Sequence, residues 1–364
     1  MQPRCSTWQG TVRGMAALVM VATCGFPGFA DPPPAKTDPP KALPEKIVTA
    51  WKEAGAEVGW AQVNKFLGFF EFVRQKAEPG SLPAFRFASW QDGRLAKLPA
   101  PTTGFGLDLG RTQVTDAGLK ELAGLKSLQT LNLDFTKVTD AGLKELAGLT
   151  NLQTLSLLNI QVTDAGLKEL ARLKSLKTLN LAQTYGQMTD AGLKELAGLK
   201  SLQTLNLRFT KVTDTGLKEL AGLKSLQALD LFRTQVTDAG LKELAGMKTL
   251  QALGLGHTQV TDAGLKELAG LKNLQTLELG DTKVTDAGLK ELARLKNLQT
   301  LELRYTEVTD AGLKELAGLT NLQSLNLEGT RGTDAGLKEL AGLKSLKSLN
   351  LWNNQVTNAG LKRG

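Results

Sequence analysis

From Leu107 onward, apolar and polar positions recur on a fixed beat. A leucine pair separated by one polar residue opens each unit, beginning at Leu107, Leu131, Leu155, Leu179, Leu205, Leu229, Leu253, Leu277, Leu301, Leu325 and Leu349. The step is 24 residues except between Leu179 and Leu205, where it is 26. In Thr130-Leu131-Asn132-Leu133-Asp134 the alternation buries one face and leaves the other open, which predicts a strand. In Thr139-Asp140-Ala141-Gly142-Leu143-Lys144-Glu145-Leu146-Ala147 an N-capping residue, the leucine spacing and the outward Lys144-Glu145 pair predict a two-turn helix. Strands stack ~4.8 Å apart whereas packed helices need ~8–10 Å, so a pile of such units must curve with its strands inside. The expected fold is an α/β solenoid, a horseshoe with a concave parallel β-sheet, convex short helices and an N-terminal α+β cap.

The segment before the repeats is built differently. All 12 prolines lie before Thr102. Ile47, Val48, Trp51 and Ala54 fall at helical spacing between Pro44-Glu45 and Gly55. Val58 to Val63 and Phe66 to Val73, separated by Asn64-Lys65, predict a hairpin, and Ala84-Phe85-Arg86-Phe87 a further strand. Residues 44–103 are therefore read as an N-terminal cap region, and residues 104–364 as an array of eleven units with the last truncated. Residues 31–43 form a Pro-rich linker. Residues 1–30 carry Arg4 and Arg13, an apolar run from Met15 to Ala22 and small residues before Asp31, the pattern of a signal peptide. The run is shorter than the ~20 residues of a membrane span. Expected locations are secreted, periplasmic or cell-envelope, with a lipoprotein anchored at Cys24 as the less favoured option.

Leu128-x-x-Leu131-x-Leu133-x-x-Thr136-x-Val138 resembles the core pattern of leucine-rich repeat proteins, in the variety that carries Thr-Asp-x-Gly-Leu after the strand. The head, Pro44 to Gly55, is similar to the leader of exported planctomycete-type bacterial leucine-rich repeat proteins. The resemblance implies a non-enzymatic, protein-binding scaffold.

Charge and chemistry narrow the picture further. The net charge is +8, and removal of residues 1–30 with their two arginines leaves 42 minus 36, or +6. The surplus lysines, such as Lys126, Lys174, Lys200 and Lys224, are spread one per unit without interleaved aromatics, which disfavours nucleic acid as a partner. Both cysteines, Cys5 and Cys24, precede Asp31, and His257 is the only histidine. No catalytic constellation is assembled, and no cofactor or metal is expected. The recurring Asp column, Asp116 to Asp334 with Asn358 at the end, is read as helix capping rather than a stacked cation site. The Thr column, with Ile160 and Asn354 as exceptions, is expected to bond turn backbone between neighbouring units. Gly124 and its equivalents resemble left-handed helix C-caps, although Arg172 and Arg294 at the same position argue against a strict requirement.

The informative residues are those that vary from unit to unit. After the second leucine the chain reads Asp134-Phe135, Arg208-Phe209, Phe232-Arg233, Gly256-His257, Arg304-Tyr305 and Trp352-Asn353 in different units. Phe135, Arg208, Phe209, Phe232, Arg233, His257, Arg304, Tyr305 and Trp352 are thus expected to line the concave face and its rim as a partner-binding surface, since aromatics and Arg dominate binding hot spots. Drift at exposed positions is the competing explanation, but it does not by itself enrich large aromatics. Asn132, Asn206, Asp230, Glu278, Glu302, Asn326 and Asn350 beside them could hydrogen-bond a peptide or a glycan. Tyr185-Gly186-Gln187 supply the two extra residues and are expected to bulge at the rim and open a gap between units four and five. The last strand is expected to expose an edge through which copies could self-associate.

Overall fold

The computed structural model describes residues 42–357 apart from 65, 75–79 and 185–187. The signal segment, most of the linker, Tyr185 and the stretch from Asn358 lie outside the described residues.

Helix α1 (Glu45–Glu53) is opened by Pro44 and followed by Gly55 at φ +90°, a turn that glycine makes without Cβ strain. Strands β1 (Glu57–Val63), β2 (Phe70–Val73) and β3 (Leu82–Arg86) follow. The repeats then supply β4 (Phe105–Asp108), β5 (Leu128–Asn132), β6 (Thr154–Ser156), β7 (Thr178–Asn180) and β8 (Thr204–Asn206). After these come β9 (Ala228–Asp230), β10 (Ala252–Gly254), β11 (Thr276–Glu278), β12 (Thr300–Glu302), β13 (Ser324–Asn326) and β14 (Ser348–Asn350). They form one open sheet in the order β14 down to β3, then β1 and β2. From β3 to β14 all pairings are parallel, whereas β1 runs antiparallel to both its neighbours.

Short helices return each strand to the next, as at Asp164–Leu170 and Asp238–Leu244. In the first two units only Asp116–Leu119 and Asp140–Leu143 are α-helical before tightening into 3-10 turns. The leucines form ladders in register, with Leu229 opposite Leu253 and Leu277 opposite Leu301. The same core continues into the head, where Trp51 stacks on Phe85 at 4.2 Å and meets Phe105 edge-on at 5.9 Å. Glu121 of the first unit accepts hydrogen bonds from the N–H groups of Gly93, Leu95 and Ala96, tying the head to the array.

Several sequence expectations change here. The two extra residues open no gap: Thr178, Leu179 and Asn180 pair in register with Thr204, Leu205 and Asn206. Asp164 still bonds Thr189 across the insertion, at 2.8 and 2.7 Å. The bulge expected at residues 185–187 itself lies outside the described residues. The Asp column links units, besides standing at helix N-termini. Asp238 Oδ1 and Oδ2 accept from the Thr261 N–H and hydroxyl at 2.8 and 2.7 Å, while Thr261 Oγ1 itself accepts from Ala263 N–H. The Thr column works within its own unit, since Thr234 and Thr258 donate to the carbonyls of Leu231 and Leu255. Lys126, Lys200 and Lys296 donate to the carbonyls of Gly148, Gly222 and Gly318 one unit on, so much of the surplus charge caps helix ends.

Candidate functional site

Each strand ends in a turn whose second variable residue is left-handed: Phe135, Phe209, Arg233, His257, Asp281 and Tyr305 have φ between +51° and +58°. The helix-end glycines, Gly124 among them, have no positive φ. The strained position is therefore the variable one. It is held because its N–H donates across to the next unit, as from Arg233 to the Gly256 carbonyl and from His257 to the Gly280 carbonyl, both at 2.9 Å. A left-handed residue with a Cβ costs ~1–2 kcal/mol, which these bonds and the adjacent Thr bond offset.

The turns put one set of large side chains in a row. Phe209 and Phe232 lie 5.4 Å apart, and Phe232 meets His257 edge-on at 4.9 Å. The Arg208 guanidinium sits 4.1 Å over Phe232 and that of Arg233 5.6 Å over Phe209. Asp281 joins His257 at 3.0 Å and Arg304 at 3.4 Å. Tyr305 donates its hydroxyl to Glu328 at 2.8 Å, in space left by Gly329. Arg208, Phe209, Phe232, Arg233, His257, Arg304 and Tyr305 thus form one band. Phe135 stands apart, under Arg111 at 4.5 Å, and Trp352 is 68% exposed on the last described strand turn.

The polar column is spent mostly on the protein itself. Asn132 donates to Asp108, Asn326 to Glu302 and Asn350 to Glu328, while Asp230, which is fully buried, binds Arg208 at 2.9 Å. Burial raises the carboxyls of Asp108, Asp230 and Glu302. Burial, with the nearby Asp230 carboxylate, pushes Glu278 up to about 8. Its side chain is 21% exposed and 3.8 Å from Arg208. Burial also lowers His257, against the opposing pull of Asp281, and Arg304, Arg233 and Arg208 add to the lowering.

Sequence reasoning overlooked the small residues on this surface. Gly256 leaves room for the Phe232 ring, and Gly280 for the Arg304 stem. Ala228, Ala252 and Gly254 form a seat filled by Phe66. The second hairpin strand starts at Phe70, not Phe66; Phe66, Leu67 and Gly68 belong to the connecting loop and lie against the concave face. A comparison of columns between units carries that signal, because only the sixth and seventh units replace the Thr or Ser at the first strand position by Ala.

An open, curved sheet of in-register leucine ladders with outer helices defines a leucine-rich repeat solenoid. Family models described as leucine rich repeat match residues 272–331, and also 124–147, 198–221, 222–245, 246–269 and 342–363; the chain belongs to the leucine-rich repeat proteins. An internalin of Listeria monocytogenes is similar at 26% identity, over 73% of this chain and 77% of its own, with a TM-score of 0.54. A leucine-rich repeat protein of Leptospira interrogans is similar at 29% identity, over 70% of this chain and 62% of its own, with a TM-score of 0.53. Internalin C2 of Listeria monocytogenes is 30% identical over 67% of this chain and 84% of its own, at a TM-score of 0.41. No curated protein matches the sequence. The fold is in general a protein-binding scaffold and typically a non-enzymatic one. Among the described residues no helix is long and apolar enough to cross a membrane, and no three His, Cys, Asp or Glu are grouped to hold a metal ion.

Proposed function

We propose that the protein is an exported, non-enzymatic scaffold that recognises a protein partner through the concave face and exit rim of its repeats. The observation that carries this reading is the band of rings and guanidinium groups from Phe209 to His257, continued through Asp281 to Arg304 with Tyr305 next in the chain, on a scaffold whose other positions barely vary. Side chains placed on left-handed turns of a rigid sheet are pre-organised, so little ordering entropy opposes binding. Consumption of the polar column within the sheet favours a protein over a glycan. The test is capture of envelope proteins by the chain without residues 1–30, beside a variant with Phe209, Arg233 and Tyr305 all changed to Ala. A partner retained by the first and lost by the second is expected; the same set on both, with unchanged thermal stability, would sink the proposal.

A second reading, self-association as a structural envelope component, is favoured by one observation. Among the described residues β14 is the outermost strand of the sheet, with Leu346, Leu349 and Leu351 only half-buried beside exposed Trp352. Sedimentation across a wide concentration range separates the two readings, since a scaffold without its partner stays monomeric.

A further inference from the structure

Phe66, Leu67 and Gly68 reach from the head onto the middle of the concave face. Asn64 shapes the turn: its side-chain oxygen accepts from the N–H groups of Phe66 and Leu67 at 3.0 and 2.7 Å, and its carbonyl from Gly68 at 2.8 Å. Gly68 has φ +67°, and its Cβ would stand 3.1 Å from the Thr178 methyl, so both conformation and space call for glycine. Phe66, 4% exposed, packs on Ala228 and Ala252, and a Cβ on Gly254 would meet Asp230 Oδ1 at 2.5 Å and lie in ordinary contact, 3.4 Å, with the Phe66 ring. Asn206 donates to the Leu67 carbonyl at 2.7 Å.

The repeats themselves record this contact. At the first strand position the first unit carries Gly106, packed under Ala61 of the head, and the others carry Thr130, Thr154, Thr178, Thr204, Thr276 and Thr300, then Ser324 and Ser348, but Ala228 and Ala252 beneath the ring. At the third position the units carry polar side chains such as Asn132, Asn180, Asn206, Asp230 and Glu278, whereas Gly254 has none. The two alanines coincide under one aromatic side chain, and Gly254 beside them leaves room for both the Asp230 carboxylate and the ring, which marks the seat as shaped for an aromatic group.

We infer that the seat formed by Ala228, Ala252 and Gly254 is a recognition pocket for an aromatic residue of an extended peptide, held in this state by the chain's own Phe66 as a displaceable intramolecular occupant. The attachment is short and local: the Phe66 ring, Leu67 packed beside it and a side-chain-to-carbonyl bond from Asn206 are its described parts. A partner segment with an aromatic residue followed by a free carbonyl would satisfy the same groups. Tethering gives the loop an effective concentration on the order of millimolar, so a free competitor meets a closed site unless it binds more tightly. The inference rests on the protein-binding reading only for the identity of the displacing partner, because none of the seat residues belongs to the band tested above.

The probe is a fluorescein-labelled synthetic peptide of residues 62–71, titrated by anisotropy into the full chain without residues 1–30. Phe66→Ser should bind it at least tenfold more tightly than the unaltered chain, and Ala252→Leu added to that variant should abolish binding. A peptide with serine in place of Phe66 should not bind. Equal affinity for both chains, no binding to the Phe66→Ser chain, or binding indifferent to Ala252→Leu would overturn the inference. A second variant guards against misfolding: Gly254→Asn restores the residue type of neighbouring units and should speed hydrogen exchange of residues 66–70 at least tenfold with the leucine ladders still protected. Unchanged protection of those residues would likewise overturn it.

Discussion

Glu278 shows what enclosure in the concave face does to a single group. Its carboxyl is pushed up to about 8 by burial, with Asp230 adding to the shift, against 4.5 for the ordinary group. A carboxyl raised in the folded state binds its proton more tightly there than in the unfolded chain, so its contribution to stability is complete below about pH 4.5 and is lost as pH rises through about 8. Glu278→Gln should therefore flatten the fall in melting temperature between pH 5 and 8; a slope equal to that of the unaltered chain would contradict it. Gly332 is a different case, standing where Val284 and Val308 are fully buried. It has no positive φ, and a Cβ there would sit 3.2 Å from a terminal methyl of Leu313, which needs to shift by only a few tenths of an ångström. Gly332→Val should stabilise the tenth unit by about 1 kcal/mol, from apolar burial and reduced freedom of the unfolded chain. Hydrogen exchange across residues 325–340 is the measurement, with no added protection as the refuting result.

The convex turns are joined by a ladder in which each Asp bridges to the next unit's N-capping Thr. Its geometry also explains the neighbouring glycine: a Cβ at Gly264 would fall on Asp238 Oδ1. Asp238→Ala leaves the Thr261 N–H and hydroxyl without their acceptor and should cost ~1–3 kcal/mol. Gly264→Ala should also destabilise, by displacing the carboxylate. In the double variant there is no carboxylate left to displace, so its cost should be well below the sum of the two, as urea unfolding would measure. Additive losses would show that glycine and Asp act separately.

The array depends on its head, because one core runs from Trp51 through Phe85 and Phe105 into the leucine ladders. Removing residues 31–103 would expose Phe105, Leu107 and the edge of β4, a surface that nothing polar replaces. The expected product is insoluble or molten, and a soluble array that unfolds cooperatively would refute this. The head also partitions the concave face, since the Phe66 side chain covers β9 and β10 while the band from Phe209 to Tyr305 follows the strand exits beside it. A ligand approaching the inner face thus meets an open rim and an occupied centre.

Much of this was legible in the order of residues. The 24-residue beat specifies strand, turn and helix because each is short, local and confirmed by the next copy, and the curvature follows from the unequal widths of strands and helices. The variable column marked the residues of the band for the same reason, a change against a constant background. Three features depended on the folded molecule. The left-handed turns fell on variable residues rather than on the recurrent glycines, because the cross-unit bond from Arg233 to Gly256 sets φ, whatever side chain is attached. The polar column became internal wiring, because parallel pairing stacks Asn132 on Asp108 and Arg208 beside Asp230, a proximity invisible at a separation of a whole repeat. Phe66 found its seat beside the bond from Asn206 to Leu67, which joins positions 139 apart in the sequence, a contact set by where the edge hairpin folds over the curved sheet and by no local preference of the residues that make it.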